Sequence, residues 1–338
     1  MNLTAFLIGV FGIYLGGNWV VNGTSRLARS FRVPQLLVGL TVITLVTSAP
    51  ELLIAIRASL QGASGLVFGT VTGSNIANIG LVLGVSGLFA GSLPIATGIV
   101  RRGVPIMVGV SLAVYGLIFL NQITWVIGLL MIGGFVVFSV YFQSIVRQDN
   151  RVQVLATQEM RAANPLQTSD ALLVEDNEIV EKEVMEKINR PFEFVRAVTG
   201  IVLLVFCSDF LVQGALVLVT QLGTNDVLIG ATFIALITSA PELVAVTAAT
   251  QRGQPDVAFG NLIGAAVANI LLVIGVSAVV SPLTVPAQVR IYEYPVMLAF
   301  MLYMIVVALD GKLSRLEATL YSLAYGAFIA GFFFLPIF

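Results

Sequence analysis

A seven-residue segment occurs twice in this chain, with six residues identical and valine replaced by isoleucine at the first. Val46-Thr47-Ser48-Ala49-Pro50-Glu51-Leu52 returns as Ile237-Thr238-Ser239-Ala240-Pro241-Glu242-Leu243. Both copies lie inside long apolar runs, where a carboxylate beside a proline is costly and by default functional. They belong to a longer correspondence at a constant offset of 191 residues. Asn18 falls on Asp209, Gly23 on Gly214, Gly39 on Gly230, Phe68-Gly69 on Phe259-Gly260, Gly73 on Gly264, Asn78 on Asn269 and Gly84 on Gly275. No gap is needed, so the chain reads as an internal duplication.

The medium in which the halves fold follows from composition. The 338 residues are 58% hydrophobic and 10% charged, whereas soluble domains carry about 25% charged residues. The expectation is an all-α polytopic membrane protein. A spanning helix needs about 20 apolar residues, and ten stretches qualify: roughly 3–22, 35–58, 65–89, 103–120, 124–146, 194–220, 226–250, 257–281, 292–309 and 316–336. The first stretch lacks a basic region and a cleavage pattern, so it reads as a helix rather than a leader.

One polar segment, 147–193, separates residues 1–146 (spans one to five) from 194–338 (spans six to ten). It carries ten acidic and six basic residues. Five spans per half is an odd number, so the second half must enter the bilayer upside down. Inverted repeats of this kind build secondary transporters, with the site near the midplane where broken helices meet. Arg26, Arg29, Arg32, Arg101, Arg102, the basic residues of the central segment, Arg196, Arg252, Lys312 and Arg315 fall on one side; Arg57 and Arg290 fall on the other. The positive-inside rule places the first group in the cytoplasm of a plasma (inner) membrane, with both termini outside and loop 147–193 inside.

Net charge is −1, with one cysteine (Cys207) and no histidine. Nucleic acid is not an expected partner; an intramolecular disulfide and imidazole-based metal or proton chemistry are excluded. No cofactor, enzymatic activity or obligate protein partner is expected, and the chain is expected to work as a monomer in the lipid bilayer.

In the second span Thr44, Thr47, Ser48 and Glu51 share one helix face. Pro50 lacks an N–H and clashes with the carbonyl of Val46, so the helix must break there. Freed carbonyls are tolerated at membrane depth only where they line a cavity. Pro241 repeats the break beside Thr238, Ser239 and Glu242, with Ala235 in place of Thr44. The third span adds Ser74 and Asn78; the eighth adds Asn269, with Ala265 in place of the serine. Glycines four residues apart (Gly69 and Gly73, Gly260 and Gly264) allow close helix contact. The donors are all oxygens, which suit hard cations such as Ca²⁺ and Na⁺. Two carboxylates balance one Ca²⁺ or two Na⁺, a physical basis for mutually exclusive binding. The competing reading of the amides and Ser74 is polar glue between helices; that of the glutamates is a buried structural acid.

These residues resemble the two alpha-repeats of the sodium/calcium exchanger family, prokaryotic branch, within the calcium/cation antiporter superfamily. The first repeat spans 39–84, with TSAPEL and GSNIANIGLVLG; the second spans 230–275, with TSAPEL and GNLIGAAVANILLVIG. The resemblance covers nearly the whole chain. It implies that Glu51 and Glu242 bind Ca²⁺ with oxygens of Thr47 and Thr238. Na⁺ would use the same glutamates with Thr44, Ser48, Ser74, Ser239 and the carbonyl of Ala235. Asn78 and Asn269 would complete the corners, and sliding of the first and sixth helices would give alternating access. Two positions depart from the pattern. Ala265 stands where a hydroxyl usually helps to bind Na⁺. Asn269 stands where potassium-dependent and some prokaryotic members carry aspartate, which argues against K⁺ co-transport.

The function expected is therefore Na⁺/Ca²⁺ antiport. A Ca²⁺/H⁺ antiporter on the same scaffold is the close alternative, because Glu51 or Glu242 can carry a proton. A passive cation channel is the distant one, since nothing suggests a symmetric pore-lining ring. Asn18 and Asp209 stand as gating or ion-access candidates, against the reading that Asp209 is a hydrogen-bonded acid at a wet helix end. The acidic segment lacks the spacing of a calcium-binding loop and reads as solvated charge rather than a sensor.

Overall fold

A computed structural model describes residues 3–30, 48–90, 92–94, 97–163, 189–251 and 255–334. These residues are mostly helical. The first half contains α1 (Leu3–Ser30), α2 (Ala49–Leu60), α3 (Ser64–Ala77), a π-helical stretch (Asn78–Leu83), α4 (Gly84–Ala90), α5 (Thr97–Leu117) and α6 (Trp125–Ala163). The second contains α7 (Arg190–Leu222), α8 (Asp226–Ile229), a π stretch (Gly230–Ile234), α9 (Ala235–Thr238), α10 (Ala240–Gln251), α11 (Pro255–Val267), a π stretch (Ala268–Val273) and α12 (Ile274–Val280). A fourth π stretch (Val289–Glu293) then leads into α13 (Tyr294–Asp310) and α14 (Arg315–Phe334).

Six stretches are long and apolar enough to cross a membrane among the described residues: Ser64–Phe89, Val100–Leu120, Trp125–Ile145, Arg190–Leu222, Ala258–Val280 and Val289–Val307. Of the remaining expected spans, the first and tenth coincide with α1 and α14. The second is described only from residue 48, and the seventh is divided into α8–α9 and α10.

Burial sorts the helices into layers. The spanning window of α3–α4 is 94% buried and that of α11–α12 78%, against 28% for α6. The most deeply buried window is among the less apolar, with a mean hydropathy of 1.5 against 2.2 for α6. Thr70, Thr72, Ser74, Asn75 and Asn78 are all buried on α3 and its π extension. The outer helices turn Leu130, Val137 and Val140 of α6 and Phe206 of α7 outward, which is the composition a lipid-facing surface requires.

Among the described residues four short strands form two antiparallel pairs, and each pair joins one half to the other. β1 (Ser92–Pro94) pairs with β4 (Lys312–Ser314), setting Leu93 opposite Leu313; β2 (Gln122–Ile123) pairs with β3 (Leu283–Thr284), setting Gln122 opposite Thr284. The helix contacts follow the same exchange. α6 packs on α12 as α14 packs on α4, α2 on α12 as α10 on α4, and α2 on the 268–273 stretch as α10 on 78–83.

The largest contact joins α1 to α7. Gly9 abuts Leu211, Gly12 abuts Cys207, Gly16 abuts Gly200 and Gly23 abuts Ala197, so the two helices run antiparallel with backbones nearly touching. A Cβ on Gly23 would come within 2.9 Å of the Ala197 nitrogen, and one on Gly200 within 2.8 Å of the Gly16 oxygen. One end of this pair carries a charge cluster. Arg26 Nη1 meets Glu193 Oε1 at 2.9 Å, Arg196 Nη1 lies 3.6 Å from Glu193 Oε2, and Arg190 donates to the Ser30 carbonyl at 2.7 Å.

The central polar segment differs from its expected form at both edges. Glu193 is buried and ion-paired in the first turn of α7 rather than solvated. At the other edge α6 runs on to Ala163. Its extension is rich in Gln, Arg, Glu, Ala, Leu and Met, which favour helix whatever the hydropathy. The charged stretch 178–187, expected as solvated charge, lies outside the described residues.

Candidate functional site

The two repeated segments break in the same way. Ser48 has φ −80° and ψ 2°, and Ser239 has φ −77° and ψ −2°. New helices start at the next residue. Each break therefore precedes the proline by two residues, and Pro50 and Pro241 take the second helical position of α2 and α10. A proline in the first turn has no intrahelical donor to lose, so the helix restarts around it. The carbonyl end of α9 thus adjoins the amide end of α10. A helix start favours negative charge by about 0.3–1 kcal/mol, and Glu51 and Glu242 stand in the first turns of α2 and α10.

Both glutamates are buried. The hydroxyls of Thr238 and Ser74 are the polar neighbours of the Glu51 carboxylate. Neither makes a formed hydrogen bond to it, and both carboxylate oxygens lack a partner among the described residues. Ser74 Oγ and Thr238 Oγ1 are instead hydrogen-bonded to each other at 3.1 Å; Thr238 donates its one proton to the Ala235 carbonyl at 3.3 Å, which leaves Ser74 as the donor to Thr238. That carbonyl accepts the Ser239 N–H as well, at 3.0 Å. One cluster thus joins Glu51 and Ser74 of the first half to Ala235, Thr238 and Ser239 of the second.

Ser48 stands at the N-cap of α2, where a serine hydroxyl ordinarily accepts an N–H bond. Here it makes no cap bond, and its Oγ is buried without a partner among the described residues; the Oγ of Ser239 is in the same condition. Asn78 and Asn269 lie within equivalent π stretches, a backbone form often found at functional sites. Both side-chain atoms of Asn78 and the Oδ1 of Asn269 are buried and unpartnered among the described residues. The α2 helix of Glu51 packs on the stretch bearing Asn269, and the α10 helix of Glu242 on the stretch bearing Asn78. Several buried oxygens without protein partners are what a hard cation would satisfy.

Close approach of these elements depends on glycine. A Cβ on Gly73 would sit 2.5 Å from Ala231 Cα, and Gly69 abuts Val227. The glycine spacing gives the close helix contact expected of it, and the helix contacted is the broken one of the opposite half. Residues 36 and 40, the counterparts of Val227 and Ala231, are outside the described set. So are Thr44 and Thr47. Ala265 is fully buried.

Asn18 and Asp209 are not partners. The Asn18 carbonyl accepts from Asn22, and Asp209 Oδ2 accepts from Gln213 at 2.7 Å. The antiparallel crossing sets Asn18 close to Gly200, roughly 13–14 Å along the axis from Asp209. Sequence reasoning also passed over Asn75. It accepts a hydrogen bond from Asn269 Nδ2 at 3.1 Å, and its counterpart at the repeat offset is Ala266, so comparing the halves gave no signal.

Spanning helices around a buried, oxygen-lined break, built from two duplicated halves, define the class of protein: a membrane cation antiporter. The particular family follows from comparison. The profile of the sodium/calcium exchanger protein family matches residues 1–143 and 192–334, two stretches whose starts are separated by the repeat offset. The chain belongs to the sodium/calcium exchanger family. It is 30% identical to the sodium/calcium exchanger MaX1 of Methanosarcina acetivorans, across 99% of each chain. It is 29% identical to the inner membrane protein YrbG of Escherichia coli, across 87% of this chain and 85% of that one. A structure of the sodium-calcium exchanger NCX_Mj soaked with Na⁺ and Ca²⁺ superposes with a TM-score of 0.62 at 25% identity, covering 100% of both chains.

Proposed function

We propose that this protein exchanges Na⁺ for Ca²⁺ by alternating access at a site held by Glu51 and Glu242. The observation that carries the proposal is the set of buried oxygens on Glu51, Ser48, Ser239, Asn78 and Asn269, drawn from both halves, that have no partner among the described residues. Ca²⁺ would sit between the glutamates with oxygens of Thr47 and Thr238. Na⁺ would use Ser48, Ser74, Ser239, Thr44 and the Ala235 carbonyl with the same glutamates. Both loads supply the positive charge that two carboxylates lack. Leaving those carboxylates bare in a low-dielectric interior costs several kcal/mol per ion, so the empty site is poor at crossing and uncoupled leak is suppressed.

The wider architecture in this proposal is ten spans in two inverted repeats, in the plasma (inner) membrane with the central segment cytoplasmic. The antiparallel run of α1 against α7 and the exchange-related strand pairs support it. A Ca²⁺/H⁺ exchanger on the same scaffold is the competing reading, favoured by the complete burial of Glu51. Uptake of Ca²⁺ into proteoliposomes separates the two. An outward Na⁺ gradient at equal pH on both sides drives uptake if the proposal is right. Uptake driven only by a proton gradient would sink the sodium assignment.

A further inference from the structure

Asn75 follows Ser74 on α3 and is completely buried. Its amide is held on both sides. Nδ2 lies 3.4 Å from the Ala266 carbonyl oxygen and 3.4 Å from Met297 Sδ, both of which only accept. Its Oδ1 accepts from Asn269 Nδ2 at 3.1 Å. Turning the Asn75 amide over would set oxygen against oxygen and sulfur, and NH₂ against NH₂, losing all three contacts. Its orientation is therefore determined by its neighbours. The orientation of Asn269 follows from it: the NH₂ faces Asn75, and the Oδ1 faces away, buried and without a partner among the described residues.

We infer that Asn75 is a positioning residue of the cation site, holding Asn269 so that it presents only oxygen to the ion. The inference rests on the two-glutamate reading of the site. An asparagine has a wrong face, because its NH₂ repels a cation; a flipped Asn269 would turn a ligand into an obstacle. Asn78 has no such restraint. The position equivalent to Asn75 in the second half is Ala266, which has no polar side chain, and both polar atoms of Asn78 lack a partner among the described residues. Among the described residues the two amide corners are thus unequal: Asn269 is held by a neighbour and Asn78 is not.

The test is initial Ca²⁺ uptake against Ca²⁺ concentration, using the full-length protein in proteoliposomes at a fixed Na⁺ gradient. Loss of an oriented ligand to a cation predicts that Asn75→Ala raises the KM for Ca²⁺ roughly tenfold, with the maximal rate within about twofold. Asn75→Leu, which refills the volume, gives the same result if the cavity is not the cause. Aspartate has no wrong face, so in an Asn269→Asp background Asn75→Ala leaves KM unchanged or lowers it. An equal rise in both backgrounds overturns the inference, since packing alone would then explain it. So does a rise in Asn269→Ala that neither Asn75 variant reproduces. An unchanged KM in Asn269→Ala instead overturns the reading of this corner as a cation ligand.

Discussion

Glu51 is fully buried with no formed hydrogen bond to either carboxylate oxygen among the described residues. A structural acid would be paired, because a lone buried charge costs several kcal/mol. Glutamine has nearly the same shape without the charge. Glu51→Gln and Glu242→Gln are therefore each expected to lower Ca²⁺ uptake by at least about 100-fold, as expected when a ligand to the transported ion is lost. The melting temperature in detergent should stay level or rise for Glu51→Gln. Normal transport by either variant would contradict the paired-carboxylate site; lost transport together with unfolding would point to a structural acid.

At the scale of elements, the glycine spacing is the part of the fold that sequence conveyed most directly. Gly69 and Gly73 do seat α3 against residues 227–231. Gly73→Val places a branched side chain where a Cβ alone would be 2.5 Å from Ala231 Cα. It should destabilise the protein by about 1–3 kcal/mol or more, read as a lowered melting temperature with reduced exchange. Gly109→Ala is the control, because a Cβ there meets nothing within 4 Å. An unchanged melting temperature for Gly73→Val would show that this contact is not tight in solution. Other features were not legible. A π turn shifts the helix phase by one residue, but the helices that lead into Asn78 and Asn269 are buried on nearly every side and carry no apolar stripe to be shifted, so these stretches left no trace in the pattern. The prolines announced the breaks but not their position, which lies at Ser48 and Ser239. Hydropathy marked where α6 leaves the apolar layer, not where it stops being helical. Glu193 was grouped with solvated charge because its partner, Arg26, is remote in sequence.

The molecule as a whole is joined across its halves by strands at two places and by α1 lying on α7. If access alternates by movement of α1 with α7, the strand pairs belong to the part that stays still. Gln122 and Thr284 are exposed and opposite each other, and opposed antiparallel residues have Cα atoms roughly 4.5–5.5 Å apart, within disulfide range. In a Cys207→Ala background, Gln122→Cys with Thr284→Cys should therefore oxidise to a cross-link and retain exchange within about twofold of the reduced form. Loss of exchange on oxidation, restored by reduction, would mean that this strand pair moves during transport.

The exchange relation among contacts also bears on origin. β1 meets β4 as β3 meets β2, and α2 meets α12 as α10 meets α4. A half-length chain would therefore find in a second copy of itself the strand and helix partners that the full chain now supplies internally. That is the self-complementary interface of a two-fold homodimer. A homodimer, however, must place the same residue at both equivalent positions. Asn75 facing Ala266, and Ser74 matched to Ala265, are arrangements that such an ancestor had no means to encode. Joining two copies into one gene freed each half to vary, and the unequal amide corners are what that freedom made accessible.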